Sequence, residues 1–171
     1  LRTVDGQEVN ITKAFFTWQV DAQGNITLNG VTAGDALATK NYGKGVDLAT
    51  QGTGTITITG GTFDYNSKYG IAAKSEDGDI TLTDVAASYN DVKGAYLDAA
   101  CTCTGNIHIV HSTFVENDFY DVYANTRLGD ITVSGNSVFD QNGTGLHAST
   151  YAGNISLMDA TFTQNNDAGI S

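Results

Sequence analysis

A five-residue motif recurs along this chain and limits what it can fold into. Gly24-Asn25-Ile26-Thr27-Leu28 is echoed by Gly54-Thr55-Ile56-Thr57-Ile58, Gly78-Asp79-Ile80-Thr81-Leu82 and Gly105-Asn106-Ile107-His108-Ile109. Gly129-Asp130-Ile131-Thr132-Val133 and Gly153-Asn154-Ile155-Ser156-Leu157 complete the set. Each is a glycine-polar turn followed by apolar–polar–apolar alternation, the signature of a short strand with one buried face. The leading isoleucines are spaced by 30, 24, 27, 24 and 24 residues. A repeat in that range means a solenoid, because one unit cannot bury its apolar face alone and must stack on its neighbours.

Two further elements keep the register. Phe63, Ala87, Phe114 and Phe162 stand seven residues after the leading isoleucine, and Phe139 stands one later. Asn66, Asn90, Asn117 and Asn165 stand ten after it, with Asn142 again one later. A third apolar segment follows, as in Gly70-Ile71-Ala72-Ala73, Gly94-Ala95-Tyr96-Leu97, Asp121-Val122-Tyr123-Ala124, Gly145-Leu146-His147-Ala148 and Gly169-Ile170-Ser171. The pattern predicts an all-β chain: a right-handed parallel β-helix of about seven coils of ~24 residues, with three short strands per coil. Stacked coils place equivalent residues about 4.8 Å apart. Ile56, Ile80, Ile107, Ile131 and Ile155 should then form one core column, and Phe63, Phe114, Phe139 and Phe162 another. Asn66, Asn90, Asn117, Asn142 and Asn165 should stack as an amide ladder, in a turn whose left-handed backbone asparagine tolerates.

The two ends read as parts of one strand. Gly169-Ile170-Ser171 followed by Leu1-Arg2-Thr3-Val4-Asp5-Gly6 matches the internal stretch from Gly70 to Gly78 in length and chemistry. Counting Val9 as the leading residue of a first coil, the spacings close on all 171 residues with a wrap of 25. Residues 1–171 are therefore expected to be a single solenoid segment, one period of a tandem array or a head-to-tail filament. Its self-assembly ends would be Leu1, Arg2, Thr3, Gly169, Ile170 and Ser171. Uncapped strand edges invite such pairing.

The composition supports this reading. Twenty glycines, no proline and abundant Thr, Asn and Asp suit short strands and tight turns. A net charge of −11 argues against nucleic acid, which needs clustered Lys and Arg. No apolar run approaches the roughly 20 residues of a membrane-spanning helix.

Through the Gly-[Asn/Asp]-Ile-Thr-apolar, Phe, Asn and Gly-[Ile/Leu]-x-Ala columns, the whole chain resembles the pectate-lyase-like parallel β-helix superfamily and the long repeat adhesins of bacterial surfaces. In the enzymes of that superfamily, the resemblance implies, acids, bases and metal ligands protrude from the first-strand face. Here those positions carry Asn10, Thr27, Thr57, Thr81, His108, Thr132 and Ser156, with no carboxylate pair or arginine among them. General acid–base chemistry on a sugar needs such a pair. The expected function is thus a structural or adhesive extracellular or cell-surface solenoid, not an enzyme. The alternative is a carbohydrate-binding or polysaccharide-cleaving β-helix whose active residues lie elsewhere. Expected partners are further copies stacked end to end, neighbouring fibres or a cell-surface glycan, and neither nucleic acid nor a membrane interior.

The remaining candidates are local. No metal site is expected: Cys101, Cys103, His108 and His111 are the residues that could donate to a soft metal ion, but the two cysteines better suit a local disulfide or a cross-link to a neighbouring fibre. No cofactor is expected; the alternative is calcium, which would relieve like-charge stacking at Asp79 and Asp130, or at Asp64, Asp84 and Asp140. Tyr96, Tyr123 and His147 should fall on successive coils as an outward aromatic column, a candidate contact face for sugars or another fibre.

Overall fold

The computed structural model describes residues 9–11, 18–34, 41–99 and 104–171, with no helix among them. Among these residues seventeen strands, numbered in chain order, form three parallel sheets that wind around one core. The first sheet stacks β1 (Val9–Ile11), β3 (Ile26–Thr32), β5 (Ile56–Thr62), β7 (Ile80–Thr83), β9 (Ile107–Val110), β12 (Ile131–Ser134) and β15 (Ile155–Leu157). The third stacks β2 (Trp18–Ala22), β4 (Val46–Thr50), β6 (Tyr69–Ser75), β8 (Lys93–Ala99), β11 (Tyr120–Thr126), β14 (Thr144–Thr150) and β17 (Ala168–Ile170). Between them a shorter second sheet holds β10 (Thr113–Val115), β13 (Ser137–Asp140) and β16 (Ala160–Thr163).

The chain is a parallel β-solenoid of about six turns, where seven coils were expected. Seven strands lie in each long sheet, but six turns separate the first from the last. The three-strands-per-coil expectation also needs refining. The second sheet is a regular ladder only over the last three coils; upstream, isolated bridges Thr62↔Ala86 and Ala86↔Thr113 and the tails of β3 and β5 carry the same line. Those tails turn the first corner at Gly30 and Gly60, both at positive φ. Asp84, His111, Gly135 and Asp159 repeat that left-handed bend at the same position of later coils.

The register is the one the spacing implies. Ile26, Ile56, Ile80, Ile107, Ile131 and Ile155 pair in sequence, as do Phe114, Phe139 and Phe162. Inward columns of Ile, Leu, Val, Phe and Ala fill a single core, and Ile56, Ile80, Ile107, Ile131, Phe63, Phe114 and Phe139 are fully buried. Each such side chain contributes about 1.5–3 kcal/mol relative to exposure. The phenylalanine rings stack at 5.4 Å (Phe114–Phe139) and 4.7 Å (Phe139–Phe162).

Candidate functional site

Each corner of the solenoid is a set of columns, and the columns decide what the surface can do. At the corner leading into the first sheet, the motif glycines from Gly54 to Gly153 stack so closely that none of these five could carry a Cβ. A Cβ on Gly78 would lie 2.0 Å from the carbonyl oxygen of Gly54, and one on Gly153 would lie 1.8 Å from that of Gly129. The hydroxyl of Ser75 donates to the Gly54 carbonyl and accepts from the Gly78 N–H, and Thr126 and Thr150 repeat this at Gly105/Gly129 and Gly129/Gly153. The polar residue after each glycine forms a second ladder. The Asn106 N–H and side-chain amide both donate to Asp79 Oδ1, Asp130 N–H donates to Asn106 Oδ1, and Asn154 repeats the pair on Asp130.

That alternation bears on the calcium expectation. Asp79 and Asp130 are two coils apart with Asn106 between them, so like charges do not stack directly. The other acidic candidates are individually partnered. Asp64 accepts from the Ser88 N–H at 2.7 Å, Asp84 contacts His111 Nδ1 at 2.5 Å, and Asp140 accepts from the Thr163 hydroxyl at 2.6 Å, which holds its carboxyl below the usual range. His108 sits outward mid-strand between Thr81 and Thr132, away from the corner that carries His111. Among the described residues no three His, Cys, Asp or Glu are grouped to hold a metal. Cys101 and Cys103 lie outside the described residues, as do Leu1, Arg2 and Thr3.

At the second corner the asparagines do form a buried amide ladder. Asn66 donates its backbone N–H and its amide to Asn90 Oδ1 (3.0 and 2.9 Å), and Asn90 does the same to Asn117 (3.0 Å each). Further on, Asn142 bonds Asn165 Oδ1 in the same way (3.2 and 3.0 Å). The left-handed residue, however, is the one before each asparagine: Tyr65, Tyr89, Glu116, Gln141 and Gln164. That residue supplies the bend and leaves the asparagine free to point inward. Glycines follow as Gly45, Gly70, Gly94, Gly145 and Gly169. A Cβ on any of the first four would lie 2.5–2.8 Å from the carbonyl oxygen of the next coil's residue in the column.

Asp121 occupies that glycine column on the fifth coil. It is fully buried, accepts from the Asn117 amide at 2.7 Å and is bonded also by the Asn142 amide. Burial pushes its carboxyl up to about 9, partly opposed by the Asn117 hydrogen bond. The sequence contained this signal, since aspartate stands in a column that holds Gly45, Gly70, Gly94, Gly145 and Gly169.

On the outer face of the third sheet, Tyr69, Tyr96, Tyr123 and His147 form one stack, with successive centroids 5.8, 5.3 and 4.7 Å apart and ring planes within 16°. Tyr96, Tyr123 and His147 were expected there; Tyr69, Tyr120 and Lys93 were not. Lys93 Nζ lies 5.0–5.9 Å from the rings of Tyr69, Tyr96, Tyr120 and Tyr123, and burial lowers its proton affinity. Because the rings face one another, their flat faces are consumed within the stack. A sugar therefore has no free ring face to lie on between successive members of the stack.

β15, β16 and β17 are more exposed than the strands they pair with. Ile155 is 45% and Ile170 48% exposed, while their in-register neighbours Ile131 and Leu146 are fully buried. Phe162 and Leu157 are half-buried, and Met158 is exposed beside them. Each of β15, β16 and β17 pairs on one side only.

No protein family, no curated protein and no solved structure matches the chain.

Proposed function

We propose that this chain is a structural segment of an extracellular fibre or stalk, lengthened by further coils laid on the β15–β17 edge, with its outer faces available for adhesive contact. The observation that carries this reading is the repetition of the same in-register columns from coil to coil, isoleucine on isoleucine, asparagine on asparagine and glycine on glycine, which makes the solenoid a uniform rod. On this reading the chain is akin to the repeat adhesins more than to the enzymes of the pectate-lyase-like superfamily, and its job is reach and stiffness.

The test is to extend the chain by three regular coils and examine it by electron microscopy and small-angle scattering. The expected particle is one straight rod, longer by about 4.8 Å per added coil. A kinked or two-lobed particle overturns the reading. A second reading, glycan binding, has one observation in its favour: an open polar groove at the second corner lined by Glu116, Asp118, Gln141, Gln164 and Asn166. Glycan-array binding abolished by Gln141→Ala, with the rod unformed, would favour that reading instead.

A further inference from the structure

One coil of the solenoid is cut short at the second corner, and the shortening opens a notch in its side. We propose that this notch binds a neutral saccharide, one hydroxyl of which takes the place of a backbone hydrogen bond that the short coil cannot make. The notch is the groove of the glycan reading, so the proposal rests on that reading and goes on to name the class of ligand.

The shortening is written in the chain. Four residues separate each ladder asparagine from the glycine-column residue that follows it: Asn66 and Gly70, Asn90 and Gly94, Asn117 and Asp121, Asn165 and Gly169. From Asn142 to Gly145 the interval is three. The register passes the deficit to one residue. Tyr120 pairs with Thr144 and Thr144 with Ala168, so Gly143 alone faces Asp118 and Phe119 on one side and Asn166 and Asp167 on the other. Elsewhere the residue after each ladder asparagine donates its N–H to the carbonyl of the preceding coil's asparagine. Ser67 bonds Asn41 at 2.9 Å, Asp91 bonds Asn66 at 3.0 Å, Asp118 bonds Asn90 at 3.1 Å and Asn166 bonds Asn142 at 2.7 Å. The equivalent bond, from the Gly143 N–H to the Asn117 carbonyl, is not formed, and among the described residues neither group finds another backbone partner. Both residues line the notch. A Cβ on Gly143 would lie 2.7 Å from the Phe119 carbonyl oxygen, so no side chain of the short coil can fill the gap from that position.

A carbonyl and an N–H left open in one hollow call for a ligand atom that donates and accepts at once, which is what a hydroxyl oxygen does. The walls ask for the same chemistry. Glu116 and Asp118 stand between β10 and β11, Gln141 between β13 and β14, and Gln164 and Asn166 between β16 and β17. Together they border a hollow of about 450 Å³, within the range of small-ligand sites. Carboxylates that accept and amides that do both match the adjacent hydroxyls of a sugar ring. Gln141 is already oriented, its amide donating to Asp140 at 3.2 Å. Among the described residues no lysine or arginine lines the hollow, and its two carboxylates would repel a uronate or a sulfated sugar. Phe119, next in the chain to Asp118, is 62% exposed and, unlike Tyr96 and Tyr123, belongs to no ring stack among the described residues. Its free face suits the apolar side of a pyranose. The same rung departs from the repeat in a further way, since Asn117 turns its amide to Asp121 in place of Asn142. Departures from a repeat that bring no evident gain in stability are the mark of a functional site.

The experiment titrates the whole chain, labelled with nitrogen-15, with neutral gluco-, manno- and galacto-oligosaccharides and with oligogalacturonate, reading amide shifts and dissociation constants. Expected are saturable shifts centred on Gly143 and Asp118 with a neutral oligosaccharide, and binding of the uronate weaker by about tenfold or more. Glu116→Gln combined with Asp118→Asn should narrow that difference. Inserting one serine after Gly143 restores the four-residue interval and should abolish binding with the melting temperature kept. Phe119→Ala should weaken binding roughly fivefold. If the insertion lowers the melting temperature, Phe119→Ala and Gln141→Ala, both changes of exposed side chains, decide in its place. Uronate bound as tightly as the neutral sugars, shifts centred away from Gly143, or full affinity in both of those variants overturns the assignment of the notch to a neutral saccharide and leaves glycan binding standing. The absence of any shift with every oligosaccharide overturns the glycan reading as well.

Discussion

Replacing Asp121 by glycine, the residue other coils carry in its column, should stabilise the solenoid at neutral and alkaline pH and change it little at pH 4. The folded carboxyl titrates near 9 because it is buried, against 3.8 for an ordinary aspartate. Below pH 4 it is protonated whether the chain is folded or not. As pH rises from 4 to 9 the unfolded chain releases the proton and the folded chain keeps it, so stability falls by up to about 1.4 kcal/mol per pH unit. At pH 7 the accumulated penalty is on the order of 4 kcal/mol. Glycine in a strand costs roughly 0.5–1 kcal/mol in chain entropy. The Asn117 amide loses Asp121, at about 1 kcal/mol, but can regain it by bonding Asn142 Oδ1 as the other rungs do. The net gain should be about 2–3 kcal/mol at pH 7, from the sum of these terms. Urea unfolding of both proteins at pH 4.5, 6, 7 and 8 measures it. Asp121→Asn should gain less, because its amide would turn an N–H towards Asn142 Nδ2. A stability difference that stays flat across the series, or favours aspartate at pH 8, refutes the assignment of a buried neutral carboxyl.

Two further outcomes follow from the columns. Phe139→Ala should cost about 3–5 kcal/mol in urea unfolding, since the fully buried ring leaves a cavity between Phe114 and Phe162. Phe162→Ala should cost roughly half of that, because the same ring at the open edge is only half-buried. Tyr96 is pushed up to about 12 by burial and by Asp98, whose carboxylate accepts its hydroxyl at 3.1 Å. In an ultraviolet titration one tyrosine should remain protonated above pH 11, and Asp98→Asn should bring it down. The raised value means that this tyrosine's contribution is present below pH 10 and lost as pH approaches 12.

The isoleucine, phenylalanine and asparagine columns were legible because a solenoid converts a sequence interval into a contact. Gly-x-Ile keeps its spacing in six coils, so Ile107 must lie on Ile80 even though the coil between them has 27 residues. The left-handed corner positions were not legible, for Tyr65, Glu116 and Gln164 share no side-chain chemistry; what they share is a place one residue ahead of an inward asparagine. The lysine among the tyrosines needed the register of the third sheet, which sets Tyr69, Lys93 and Tyr120 on consecutive rungs. Coil number was overcounted because the sequence period counts strands, whereas turns are the intervals between them.

The alternation of aspartate and asparagine after the motif glycines carries a last consequence for a chain of net charge −11. Asn106 gives its N–H and amide to Asp79 and its oxygen to the Asp130 N–H, so it is both a link in the ladder and a spacer between two carboxylates. Asn106→Asp would keep the accepting oxygen, remove the donated amide and set three carboxylates on consecutive rungs. Like charges about 4.8 Å apart repel by roughly 1 kcal/mol in water and ~3.5 kcal/mol at an effective dielectric constant of 20. Position 106 is half-buried, so with two such neighbours a loss of about 2–4 kcal/mol is expected in low salt. Most of that loss should vanish in 1 M salt, where the screening length falls to about 3 Å. It should vanish also below pH 4, and on adding millimolar calcium, which would find in the variant the stacked carboxylates that the native ladder avoids. A loss of the same size in low and high salt would mean that the missing amide hydrogen bond, not charge, is what the asparagine supplies, and the spacer role would then be refuted.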